Sequence, residues 1–171
     1  MVELETERLI LRMWREDDFE PYAGICADPE VMRYLGGKPL TREESWRHMA
    51  CLVGHWHLLG YGVWAVAERS SRRLIGRIGF FNPAGWPGFE LGWTLERASW
   101  GKGYATEGAR AALTYAFTKL DREHVISIIR PDNQPSIRVA ERLGEILEGR
   151  SELFGNEVFI YGITRSAQNT T

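Results

Sequence analysis

The stretch that decides the fold is Phe89-Glu90-Leu91-Gly92-Trp93-Thr94-Leu95, followed by Glu96–Ser99, then Trp100-Gly101-Lys102-Gly103-Tyr104-Ala105-Thr106, then an apolar stripe at Ala109, Ala112, Leu113, Ala116, Phe117 and Leu120. The first segment alternates: Phe89, Leu91, Trp93 and Leu95 share one face, and Glu90, Gly92 and Thr94 the other, as in a strand. The stripe recurs at helical spacing. Between them, two glycines leave the backbone N–H groups bare where a helix begins. Such donors, together with the positive end of the helix dipole, suit a phosphate. The loop is not of the Walker A type, because no Gly-Lys-Ser/Thr closes it, and it lacks the third glycine of the dinucleotide spacing. Taken alone it is equally a structural turn.

Outward from this core, the upstream chain reads as a strand at Arg8–Trp14, a helix from Asp17 to Ala27 and a short turn of helix after Asp28-Pro29. A longer helix opens on the capping pair Thr41 and Glu44 and ends at Gly60, with Trp46, Met49, Ala50, Val53 and Trp56 as its stripe. Strands follow at Val63–Glu68 and Arg73–Phe81. Downstream come a fifth strand at Val125–Ile129, a helix between Asn133 and Gly144, and two last strands, Ile146–Phe154 and Val158–Thr164, joined at Gly155-Asn156. Three consecutive strands pair antiparallel, whereas the strand–helix–strand crossover between strands four and five demands a parallel pair. The expectation is an α/β chain of α+β type: one domain over 1–165 with a mixed, mainly antiparallel, seven-stranded sheet flanked by helices. Residues 166–171 form a polar tail.

Composition excludes several classes. The 171 residues suit one domain, and 44% apolar with 26% charged residues is ordinary globular usage. A net charge of −2, without like-charge blocks, is unlike a nucleic-acid binder. The longest apolar run, Tyr61 to Ala67, is far shorter than the ~18 residues that span a bilayer. Two cysteines, Cys26 and Cys51, fit a reducing compartment, and the first residues carry no secretion signal, so a cytoplasmic location is expected. Of the four histidines, His48, His55 and His57 lie near one helix, but spacings of seven and two do not place all three on one face, so no metal site is expected. Trp86, in the loop before the fourth strand, is a candidate pocket wall.

The glycine segment resembles the acyl-CoA pyrophosphate loop of the GNAT acetyltransferase superfamily, Gln/Arg-x-x-Gly-x-Gly/Ala. Gly103 and Ala105 fall on its small positions, and Trp100 stands where Gln or Arg is usual. The Trp-Gly-x-Gly-Tyr-Ala version is similar to the branch containing the RimJ/RimL ribosomal-protein acetyltransferases. Three further stretches resemble that branch: Thr6–Arg12, Asp28–Tyr34, and Asn133-Gln134-Pro135-Ser136 running to Glu141-Arg142-Leu143-Gly144. Glu145 replaces the aromatic that usually follows the last glycine.

The resemblance implies that strands four and five splay apart to admit the pantetheine arm of acetyl-CoA, the only co-substrate expected. It implies contacts from Trp93, Thr94, Leu95, Trp100, Gly101, Lys102, Gly103, Tyr104, Ala105, Thr106, Asn133 and Ser136. The implied activity is acetyl transfer to a primary amine, either a protein N-terminus or a small molecule, by direct attack in a ternary complex. The protein is expected to be a monomer or homodimer, with no nucleic-acid or membrane partner.

Backbone N–H groups near Trp93–Leu95 would receive the developing oxyanion. Glu90 and Glu152 are both candidate bases, each equally readable as a solvated strand carboxylate. Ser136 is the candidate acid toward the thiolate, or else shares in capping the first turn of its helix, which Asn133 is expected to cap; Tyr161 is the alternative donor, or else a core tyrosine. A catalytically silent acyl-CoA-binding module is the competing reading, with a nucleotide-phosphate binder more remote.

Overall fold

The computed structural model describes residues 2–168. In chain order these form β1 (Leu4–Glu5), β2 (Leu9–Arg12), α1 (Phe19–Ala27), α2 (Pro29–Met32), α3 (Arg42–Leu59), β3 (Val63–Glu68), β4 (Leu74–Phe81) and β5 (Glu90–Leu95). The second half comprises α4 (Tyr104–Thr118), β6 (His124–Ile129), α5 (Gln134–Leu143), β7 (Ile146–Leu153), β8 (Asn156–Thr164) and α6 (Arg165–Gln168). The expected tail therefore starts within α6, and its last three residues lie outside the described ones.

The sheet has eight strands, not the seven expected, in the order β1-β2-β3-β4-β5-β6-β8-β7. The added strand is β1. Its two residues are too few to show a period, and they become a strand only because the chain turns at Thr6 and lays Leu4 against Leu11. All ladders are antiparallel except β5–β6.

Both faces are covered. Phe80, Leu91, Leu95 and Ile78 pack under α4, whose Ala109, Ala112, Leu113 and Ala116 are fully buried. On the other face Val63, Ala65 and Leu74 meet Tyr22, Ile25 and Cys26 of α1 and Leu52 of α3. A continuous buried run is what a doubly covered strand shows, and β2 is buried at all four positions rather than alternately. Its Arg12 is tolerated there because Asp18 takes both guanidinium ends at 2.7 Å.

Local signals act as their chemistry requires. The Thr41–Glu44 capping box opens α3, and Gly60 closes it in the left-handed region at φ 73°. The expected α3 stripe is corrected: Trp56 is buried and Met49 half-buried, but Trp46, Ala50 and Val53 are exposed, and the buried face is Ser45, Leu52, His55 and Trp56. Helical period alone does not say where the sheet beneath stops. The final turn is also shifted by one residue. Leu153 pairs with Asn156, so the two turn residues are Phe154 and Gly155, both at positive φ as a type I′ hairpin needs.

Candidate active site

Strands β5 and β6 share a single registered pair, Glu90 with Ile126. The Ile126 N–H donates to the Phe89 carbonyl at 3.0 Å. The next parallel rung would join the Ile128 N–H to the Leu91 carbonyl. It is replaced: Leu91 O accepts instead from the Ser127 hydroxyl at 2.9 Å, and the Ile128 N–H acts on the Glu90 carboxylate. The two groups of that lost rung thus have side-chain partners, so the sheet begins to open without stranding them.

Direction along β5 follows by alternation. Glu96 N–H bonds back to Ile75 on the β4 side, whereas the carbonyls of Phe89 and Leu91 turn to β6. The N–H groups of Trp93 and Leu95 therefore face the opening, while that of Thr94 turns to β4. The Leu95 carbonyl is taken by the Trp100 indole at 2.8 Å, which ties the end of the strand to the glycine loop.

Glu90 stands at the mouth of the splay. Part of the residue reaches the surface, but its carboxyl is enclosed, and burial raises its pKa to about 7. The Trp86 indole donates to it at 2.7 Å and, with Arg77 and the Ile128 N–H, favours the ionised form without outweighing burial. Trp86 in turn packs edge-on to Phe81 and against Phe154 at the β7–β8 turn.

Ser136 lies across the opening. Its hydroxyl oxygen accepts from the Trp93 indole at 3.3 Å, and the α5 cap is not Ser136 but Asn133, whose side-chain oxygen accepts from the Ser136 N–H. Tyr161 is buried beneath α5 with Ile129, Ile137 and Ala140, where burial raises its phenol pKa. Glu152 is exposed on β7, in register with Glu157. The opening thus gathers Glu90, Trp93, Leu95 and Ser136, while Glu152 sits on the outer strand.

The anion cradle is at the start of α4. Gly101 and Gly103 have φ of 74° and 81°, and no side chain caps the helix, so the first N–H groups of a fifteen-residue helix are uncovered. A Cβ at Gly101 would meet nothing within 4 Å.

Arg8 secures this loop. It donates to the Lys102 carbonyl at 2.9 Å, pairs with Glu107 at 2.6 Å and lies 4.8 Å from the centre of the Tyr104 ring. Sequence reading placed Arg8 on the first strand without assigning it a role, since its partners are about a hundred residues away.

Glu145 is the other residue that pattern reading missed. It is 3% exposed, one carboxyl oxygen lies 3.0 Å from Ser127 Oγ, and the other has no partner. The Ser127 hydroxyl is directed at both the Leu91 carbonyl and this Glu145 oxygen. Burial raises the Glu145 pKa to about 8, with smaller contributions from Glu148 and Glu90, against the Ser127 hydrogen bond, which favours the ionised form. The only signal in the sequence was a carboxylate where an aromatic is usual.

Among the described residues, no group of three His, Cys, Asp or Glu gathers as a metal site, and no helix is long and apolar enough to cross a membrane.

Comparison with known proteins agrees with this geometry. The acetyltransferase (GNAT) domain family matches residues 8–145. The Bacillus licheniformis protein named uncharacterized N-acetyltransferase p20 is 31% identical over 151 residues, covering 87% of this chain and 85% of its own. An acetyltransferase from Agrobacterium tumefaciens shares the structure with a TM-score of 0.88 at 32% identity, over 96% of this chain and 95% of that one. RimL, the ribosomal L7/L12 α-N-protein acetyltransferase solved with coenzyme A, has a TM-score of 0.80 at 20% identity, over 97% and 99% of the two chains, a likeness of fold alone. With the splayed parallel pair and the bare helix start, these matches make the chain a member of the GNAT family and an acetyl-CoA-dependent acetyltransferase.

Proposed function

We propose that this chain, acting as one domain over residues 1–165 in the cytoplasm, transfers an acetyl group to a primary amine by direct attack within a ternary complex. The observation that carries this reading is the enclosed Glu90 carboxyl, poised at about 7 where the sheet opens. The Trp100–Ala105 pattern supports a place near the RimJ/RimL branch. The free thiols Cys26 and Cys51 are in keeping with a reducing compartment.

The residues present fit acetyl-CoA. Gly101, Gly103 and the first turn of α4, Tyr104, Ala105 and Thr106, offer N–H donors to a pyrophosphate, with Lys102 and Arg8 as adjacent positive charge. Trp93, Leu95 and Asn133 line the way inward. Acetyl-CoA supplies an acyl group already activated as a thioester.

The chain's own residues handle protons and charge. Glu90, half ionised near neutrality, takes a proton from the incoming ammonium, whose own pKa is about 8 for an α-amine. The N–H groups of Trp93 and Leu95 face the opening and hold the carbonyl oxygen as it gains charge. Ser136 accepts from the Trp93 indole, which leaves its own O–H free to pass a proton to the departing sulfur; the second proton that the nitrogen loses as the amide forms goes to solvent, from which Ser136 is reprotonated. No residue needs to be acylated.

A panel of amines incubated with acetyl-CoA, followed by release of free thiol, tests the reading. Acetylation of at least one amine, with thiol released in equal amount, is expected. Binding of acetyl-CoA without transfer to any amine would overturn it.

A further inference from the structure

The face of the sheet opposite α4 carries a charge pair that the chemistry above uses only in part. In the β4–β5 ladder Arg77 is level with Thr94, Gly79 with Gly92, and Phe81 with Glu90, so all six point to the α1 side. The middle pair is two glycines, and a Cβ at Gly92 would meet nothing within 4 Å. There is consequently open room over the centre of β5. Glu90 flanks it on one side and the Arg77–Thr94 level on the other, each two residues, or ~7 Å, away along the strand.

Arg77 is half-buried, yet none of the ion pairs among the described residues includes it. Around it lie Tyr22, which also hydrogen-bonds to His48 at 2.8 Å, with Cys26 and His48, and Glu90 feels its charge without forming an ion pair with it. A guanidinium partly withdrawn from water with no carboxylate in ion-pair contact is costly unless a ligand supplies one. Trp86, held between Phe81 and Phe154, walls the Glu90 end and limits the size of what enters.

We infer that the acceptor is a small zwitterion, an amino-acid-like amine whose carboxylate is bound by Arg77 while its amine lies over Gly92 within reach of Glu90. A peptide N-terminus or a polyamine carries no acid group beside its amine and leaves Arg77 unpaired. The inference rests on amine acetylation as proposed above and adds the acceptor class.

The test compares L-amino acids with the matching L-amino-acid amides, a short peptide and spermidine, by thiol release with the intact protein. At least one free acid is expected to exceed its amide in kcat/KM by tenfold or more, the usual effect of a charge-assisted hydrogen bond at a desolvated site. Arg77→Gln should collapse that ratio toward unity, chiefly through KM, and Arg77→Lys should restore part of it. Circular dichroism and binding of acetyl-CoA report whether each variant is folded. If amides, peptide or spermidine match or exceed the acids, or if Arg77→Gln lowers acid and amide equally, the inference is overturned while acetyl transfer stands. If no amine of any kind is acetylated, the underlying reading falls and the inference with it.

Discussion

Replacing Glu145 by glutamine is expected to flatten the pH dependence of stability. In the parent the folded state holds this carboxyl at about 8 against an ordinary 4.5. The folded protein therefore binds a proton more tightly than the unfolded chain, and the stability linked to that proton is lost as pH rises from 4.5 through about 8. At ~1.4 kcal/mol for each tenfold difference in proton affinity, the whole window represents on the order of 5 kcal/mol. Glutamine keeps the shape and can still bond with Ser127 Oγ, but it does not titrate. Its second N–H has no partner in that pocket, at a cost of about 1–3 kcal/mol at every pH, so the slope and not the level is diagnostic. Urea unfolding of parent and variant at several values from pH 5 to 8.5 supplies the data. Glu90 contributes a loss of the same sign in both proteins and largely cancels in the difference. The difference in unfolding free energy should move in favour of Glu145→Gln by several kcal/mol across the range. A difference that stays constant with pH would mean that Glu145 is ionised in the folded protein, and the argument from its burial would be wrong.

Other consequences are tested more simply. Arg8→Ala removes the tie to Lys102 and Glu107; it should weaken coenzyme A binding about tenfold by calorimetry while shifting the melting temperature only slightly, because the Arg8 side chain is 43% exposed. Gly103→Val places a branched side chain at φ 81° and over the bare donors. It should cost about 1–2 kcal/mol of stability and depress coenzyme A affinity by more than that loss explains. Ser136→Ala should lower kcat by about 10²–10⁴ with coenzyme A affinity retained. Since Asn133 is the cap, its unfolding free energy should change by well under the ~1 kcal/mol of a lost cap.

The glycine segment and the crossover were legible because each depends on neighbours in sequence: two glycines before an apolar helical stripe, and a helix joining two strands. The capping box at Thr41 and Glu44 was legible for the same reason. What escaped depends on distant partners. A two-residue strand exists only where Leu11 awaits it. The turn at Phe154-Gly155 is chosen by the register of β7 with β8, not by the glycine alone. Glu90 and Glu152 look alike in sequence, each a carboxylate on a strand. Only tertiary packing separates them, by enclosing Glu90 with Trp86 and leaving Glu152 on the outer strand. Arg77, one more charge on an apolar strand, stands out only when the structure shows it on the Glu90 face without an ion-pair partner.

The central claim is that Glu90 removes the proton from the attacking amine, and the pH dependence of kcat/KM for the best amine, in the parent and in Glu90→Gln, tests it most directly. The parent should show a limb that rises with pH through about 7, where Glu90 ionises, before the amine's own ionisation. Glu90→Gln should lose that limb and climb only as the amine itself deprotonates. Retention of the parental limb by a folded, coenzyme A-binding Glu90→Gln variant would contradict the account.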